Sequence, residues 1–212
     1  MNQFLRALFF LIIIRPVALI VLGLNVRRRE QLPAKGPAII VANHNSHLDA
    51  LVLMTLYNTR KMRYVQPVAA ADYFLTNKYL GWFATRIIGI IPLDRKVDKT
   101  KGNLFAPIDD ALAAGQILIL FPEGSRGDPE KLEQFKTGIS RIAQHHPDVD
   151  IVPVYMHGLG KALPRGEALL VPFFCDIFVG NSFQWPGSRA EFMDHLSHEM
   201  QTLAAEKPHS DW

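Results

Sequence analysis

From Ala38 onward, short apolar runs alternate with stretches in which apolar residues recur at helical spacing, the pattern of an α/β domain. The runs Ala38 to Ala42, Tyr64 to Ala69, Ile90 to Pro92, Ile117 to Phe121 and Ile151 to Met156 have the length and composition of buried strands. Between them, Leu48 to Tyr57, Asp72 to Ile88, Leu104 to Ala114 and Gly138 to His145 are predicted as helices, with Gly115 as a C-terminal stop. A further strand is expected within Ala168 to Val179, and Pro172 demotes it to an edge or a bulge. The stretch Arg189 to Ala205 puts Phe192, Leu196, Met200 and Leu203 on one face behind Ser188, a good N-cap. No polar linker marks a second globular unit.

The chain opens in a different pattern. Residues 7–24, ALFFLIIIRPVALIVLGL, would suffice to cross a bilayer but for Arg15-Pro16 at their centre. Proline removes a backbone donor and bends a helix, and an arginine at bilayer depth costs about 2.5 to 3.5 kcal/mol on insertion scales. The expectation is therefore a broken hydrophobic hairpin lying in one leaflet, with Arg27, Arg28 and Arg29 on anionic headgroups. A single span with the basic triplet on the cytoplasmic side and a buried core helix are the alternatives. A signal peptide fits poorly, because no small-residue cleavage site follows Leu24 and the basic triplet lies on the wrong side of the apolar run.

Composition narrows the class. With 212 residues, 49% hydrophobic and 20% charged, the chain can bury a full core, which excludes disordered, collagenous and coiled-coil classes. The lone Cys175 rules out an intrachain disulfide, a Cys-rich zinc module and a CxxC redox pair. The net charge of +3 is concentrated at the start: residues 1–30 carry +4, and the other 182 carry −1. That distribution points to a membrane surface and away from nucleic acid.

Polar residues crowd the ends of the predicted strands, where α/β sheets bind ligands. AIIVA runs into Asn43-His44-Asn45-Ser46-His47-Leu48-Asp49. His44 and Asp49 are five positions apart, and a turn between them brings carboxylate to imidazole, an arrangement in which histidine takes a proton from an alcohol near neutral pH. The same spacing also suits a helix cap and a loop histidine. ILILF runs into Pro122-Glu123-Gly124-Ser125-Arg126-Gly127, where Gly124 and Gly127 permit close backbone approach to an anion and Arg126 offers a phosphate-matched fork. Glu123 occupies the place where a serine nucleophile elbow requires glycine, so Ser125 is not read as a covalent nucleophile. Lys136 opens a predicted helix, and Arg95 follows the run GIIPLD.

In this order, NHNSHLD, GIIPLDR, FPEGSRG with FKTG, and IVPVYMHG resemble the glycerolipid acyltransferase family, which includes the 1-acylglycerol-3-phosphate acyltransferases. The resemblance spans about residues 30 to 160. It implies a glycerol-3-phosphate-acyltransferase-like α/β domain with a central mixed sheet flanked by helices, over 30–212, behind a membrane-anchoring segment at 1–29. It implies His44 as general base, Asp49 as its orienting partner, and Arg95, Glu123, Gly124, Ser125, Arg126 and Lys136 around the acceptor's phosphate. Glu123 is expected to hold the arginines in place, and backbone amides near Gly124 are candidate oxyanion donors. The third block departs from the commoner FPEGTRS at Ser125 and Gly127, which bears on acceptor choice.

The implied reaction moves a fatty acyl chain from acyl-CoA or acyl carrier protein to the hydroxyl of 1-acylglycerol-3-phosphate, without a metal or bound cofactor. Its partners are the lysophospholipid, the thioester donor and the bilayer, and its place is the cytoplasmic face of the inner or cell membrane. Two competing readings are transfer to another lysophospholipid or amino-acid-linked lipid, including transacylation, and lipid binding without turnover.

Overall fold

In the run Ala38–Ala42, alternate side chains point to opposite sides of an extended strand, and every residue is buried. A strand that is apolar on both faces must be covered twice, and the sheet around it is. The computed structural model describes residues 2–74, 76–94, 103–125, 127, 131–163 and 171–207. Its strands are β1 (Asn25–Arg27), β2 (Ala38–Ala42), β3 (Val65–Ala70), β4 (Ile91–Leu93), β5 (Ile117–Leu120), β6 (Asp150–His157) and β7 (Asp176–Val179). They form one sheet in the order β1-β7-β6-β2-β5-β3-β4. All neighbours are parallel except β6 and β7, so the sheet is mixed, as expected.

The helices are α1 (Gln3–Val21), α2 (Asp49–Thr55), α3 (Thr59–Met62), α4 (Ala71–Phe74), α5 (Lys78–Phe83), α6 (Ala106–Ala113), α7 (Gly138–His145), α8 (Leu159–Ala162) and α9 (Arg189–Ala205). Ile40 and Ala42 face a core shared with α1, α2 and α8, while Ile39 and Val41 face α6, α7 and α9. Gly115 ends α6 with a left-handed φ of 69°, the stop anticipated for it.

Three expectations change. The segment Asp72 to Ile88 is divided: Asn77 caps a separate α5, which runs on as π-helix over Ala84–Ile88. The late strand begins only at Asp176, beyond Pro172, and it is interior, held between β6 and the unforeseen edge strand β1. The hydrophobic hairpin is replaced by one continuous helix. α1 passes through Pro16 because Phe10–Ile14 and Val17–Val21 are π-helical, with Leu22 N–H reaching the Val17 carbonyl at 3.1 Å.

That widening has a use. Arg6, Phe10, Ile14, Ala18 and Leu22 are all buried, a strict row at intervals of four. In an α-helix such a row winds by about 40° per step, whereas π-turns rotate less per residue and keep it facing the core. The arginines are also accounted for by the protein itself. Arg6 donates to the Val65 carbonyl (2.6 Å) and Arg15 to the Tyr57 carbonyl (2.9 Å). Arg27 lies over the Phe178 ring, Arg28 forms a two-pronged pair with Glu206 (2.7 and 2.9 Å), and Arg29 donates to the Leu56 carbonyl. The basic triplet thus has partners in the sheet and at the ends of α2 and α9, while Arg27 and Arg29 remain exposed.

Candidate active site

The first block of polar residues begins where β2 leaves the sheet. Asn43 is fully buried and bonds the Met156 backbone of β6 in both directions, donating to its carbonyl (2.8 Å) and accepting from its N–H (2.7 Å). A buried amide satisfied on both sides fixes the direction in which the chain departs.

The chain then folds back on the first turn of α2. One oxygen of Asp49, Oδ2, accepts the N–H of Asn45 (2.7 Å) and of Ser46 (2.9 Å) and meets His44 Nδ1 at 2.9 Å. A carboxylate already receiving two backbone N–H bonds acts as an acceptor, so Nδ1 carries the hydrogen and Nε2 the lone pair. Asp49 is fully buried, whereas the His44 side chain keeps 23% of its exposure. One face of the imidazole stacks on Phe121, with centroids 4.3 Å apart and planes at 22°. The ring is thus set by β2, α2 and the end of β5 together.

The second block is fastened to the first. Gly127 N–H donates to the His44 carbonyl (3.0 Å), and Lys136 N–H to the Pro122 carbonyl (2.9 Å). Gly124 has a left-handed φ of 73°, and a Cβ there would lie 2.6 Å from Lys136 Nζ, so the missing side chain makes room for the ammonium. Gly124 N–H is spent on the Phe121 carbonyl within the turn (3.1 Å), which removes it as an oxyanion donor. Ser125 is exposed.

Glu123 is only 3% exposed, and burial pushes its carboxyl up to about 8. The backbone N–H groups of His44 and Glu133 oppose that rise, and the Asp49 and Glu133 carboxylates add to it. Neither Glu123 oxygen makes a well-formed hydrogen bond among the described residues, and the same holds for Asp49 Oδ1 and the Asn45 amide. A nest of buried polar atoms therefore lies against the His–Asp pair.

The structure brings together His44, Asp49, Glu123, Gly124 and Lys136. Arg95 and Arg126 lie outside the described residues. Sequence reasoning passed over Asn43 and Phe121. The available signal was position: a polar side chain directly after a wholly buried strand must find backbone partners, and the aromatic ending the neighbouring parallel strand must flank it.

The Acyltransferase family model matches residues 23–157. A chloroplast 1-acyl-sn-glycerol-3-phosphate acyltransferase of Arabidopsis thaliana is 30% identical over 145 residues, covering 68% of this chain and 38% of its own. A lyso-ornithine lipid O-acyltransferase of Rhizobium meliloti is 32% identical over 123 residues, 58% of this chain and 39% of its own. The chain thus spans about two fifths of the length of these curated relatives. The crystal structure of a 1-acyl-sn-glycerophosphate (LPA) acyltransferase from Thermotoga maritima superposes with a TM-score of 0.76 at 19% identity, over 96% of this chain and 78% of that one. This last likeness establishes the fold.

Proposed function

The chain belongs to the Acyltransferase family, and from that premise we propose that it transfers a fatty acyl group from an acyl thioester to the free hydroxyl of 1-acylglycerol-3-phosphate, giving phosphatidic acid. The observation that carries the reading is the bond between His44 Nδ1 and Asp49 Oδ2, 2.9 Å, at the carboxyl end of a central parallel strand.

With Nδ1–H held by Asp49, His44 Nε2 takes the hydroxyl proton as the acceptor oxygen attacks the thioester carbon. The tetrahedral adduct collapses by breaking the carbon–sulfur bond, and the departing sulfur recovers a proton from the imidazolium as the free thiol. Phe121 and the three contacts to Asp49 Oδ2 fix the ring before the substrate arrives, so little reorganisation accompanies proton transfer. A thioester is already activated, so the proposed step calls for no metal or bound cofactor. Lys136, Arg126 and Arg95 are assigned to the acceptor phosphate, whose charge-assisted contacts are worth about 1.5 to 3 kcal/mol each. Lys136→Ala should accordingly raise the acceptor KM about tenfold with kcat little changed, and an unchanged KM would remove it from the phosphate site.

Acceptor and product are both bilayer lipids, and α1 carries the apolar surface to meet them, so the proposed location is the cytoplasmic face of the cell membrane. A second reading is favoured by the Rhizobium relative, whose name specifies a lyso-ornithine lipid acceptor. Mass spectrometry of the products formed from palmitoyl-CoA or palmitoyl acyl carrier protein with each acceptor separates the readings. Phosphatidic acid from 1-acylglycerol-3-phosphate supports the first. Product only with an amino-acid-linked acceptor supports the second, and product without any thioester would mean transacylation.

A further inference from the structure

α1 does not meet solvent alone. Its N–H at Asn2 bonds the Arg86 carbonyl (3.1 Å), and Phe9 meets Phe83 edge-to-face with centroids 5.1 Å apart. Contacts pairing residue 2 with 86 and 9 with 83 mean that α5 and its π-helical extension run antiparallel to α1. Gly81, Ala84 and Ile87 of this second helix are buried beneath it.

The outward side of the pair is the reverse of a soluble surface. On α1, Phe4, Leu8, Leu11, Ile12, Leu19 and Ile20 are exposed, Ile20 at 81%. On α5, Tyr79, Leu80 and Trp82 are exposed, Trp82 at 54%. Basic groups flank these aromatics on the same helix: Lys78 stands over the Tyr79 ring at 5.1 Å, and Arg86, one turn beyond Trp82, is exposed. Trp82 and Arg86 also share an open groove of about 580 Å³ with Asn2 and Gln3. Amphipathic aromatics beside cations, in continuity with an apolar helix, match the boundary between headgroups and acyl chains of an anionic bilayer. Trp and Tyr place an apolar ring below that boundary and a polar tip at it, while Lys and Arg reach the phosphates.

We propose that the α5 segment is a second membrane-inserting element, which seats Tyr79, Leu80 and Trp82 in an anionic phospholipid leaflet beside α1. It rests on the acyltransferase reading only in that both substrate and product are lipids. Two helices in contact with one leaflet fix the rotation of the domain about α1, which a single rod lying on a membrane does not. The His44 end of the sheet is thereby held in one orientation to the surface that supplies its acceptor.

The test uses the full chain carrying Trp185→Phe and Trp212→Phe, so that Trp82 is the sole indole. The probe is vesicles of phosphatidylcholine and phosphatidylglycerol, with bromine near the headgroup end of the acyl chains. Vesicle binding is measured by co-sedimentation, and acceptor-dependent thiol release from palmitoyl-CoA is measured on the same samples. The expected result is a blue shift and strong quenching of Trp82, and a fall of about tenfold or more in vesicle partition when Tyr79, Leu80 and Trp82 are all replaced by Ser. The triple variant should retain thiol release with detergent-dispersed acceptor, which shows that it folds. Protein bound to vesicles with Trp82 unquenched overturns the second element and leaves the α1 anchor standing. Failure to bind vesicles at all overturns both membrane assignments. Insertion of Trp82 without any thiol release would sustain this surface while the acyltransferase reading falls.

Discussion

The carboxyl end of β2 and the outer face of α1 invert each other. At the first, polar atoms are buried and apolar ones support them: Asp49 is fully buried, three bonds converge on its Oδ2, and Phe121 backs the imidazole. At the second, Arg6 is buried against a carbonyl while Phe4, Leu11 and Ile20 are open. Each arrangement is costly in water by itself, since buried polar groups need partners and open apolar ones need cover. The first finds the partners of Asp49 Oδ2 within its own turn, two backbone N–H groups and the imidazole. The second calls for a medium that the protein does not supply. The contrast separates what the fold completes internally from what it leaves to a membrane.

The sharpest way to break that comparison is to change the two sides of α1 separately. Phe10→Ala, on the buried row, should cost about 3 to 5 kcal/mol in chemical denaturation. Ile20→Ser, on the open face, should change stability by less than about 0.5 kcal/mol while weakening vesicle binding. Equal stability losses would mean that both faces are packed.

At the other region, Asp49→Asn preserves size but no longer fixes hydrogen on Nδ1. A fall of about 10²- to 10³-fold in kcat with the acceptor KM nearly constant is expected in steady-state assays, because the tautomer and not the binding site is lost. A change confined to KM would reassign Asp49 to acceptor binding.

Glu123 provides the most specific test. Its carboxyl, raised by burial from 4.5 to about 8, stays protonated in the folded protein at pH values where the unfolded chain has released that proton. Its contribution to stability is therefore full below about pH 4.5, falls as pH rises through the window, and levels off above about 8. The loss is about 1.4 kcal/mol per pH unit at most. Glu123→Gln cannot ionise, so denaturation of the two proteins between pH 5 and 8 should show a growing advantage for Gln. Parallel curves would place the Glu123 ionisation in the ordinary range.

The same contrast explains what was legible in the sequence. NHNSHLD could be read because its geometry is local: four residues separate His44 from Asp49, and the turn leading into α2 supplies the N–H donors while the first residue of α2 supplies the carboxylate. The strands around it could be read because β2, β5 and β6 are apolar on both faces. α1 was misread because its decisive partners are remote. Arg6 reaches Val65 and Arg15 reaches Tyr57, and no local pattern records contacts across 59 and 42 residues. The π-helical passage through Pro16 was hidden for a related reason: the expected α-helical period makes a row at intervals of four look like drift. Burial of Glu123 was invisible because its motif is glycine-rich and polar, which in isolation reads as an exposed loop.

The central claim is that His44, oriented by Asp49, deprotonates a lysolipid hydroxyl. The most direct test is the rate of free-thiol release from palmitoyl-CoA, and separately from palmitoyl acyl carrier protein, with and without 1-acylglycerol-3-phosphate, for the wild-type protein and His44→Ala. The account predicts acceptor-dependent release that falls about 10³-fold or more in a variant whose circular dichroism and vesicle binding are unchanged. Near-normal release by folded His44→Ala would contradict it.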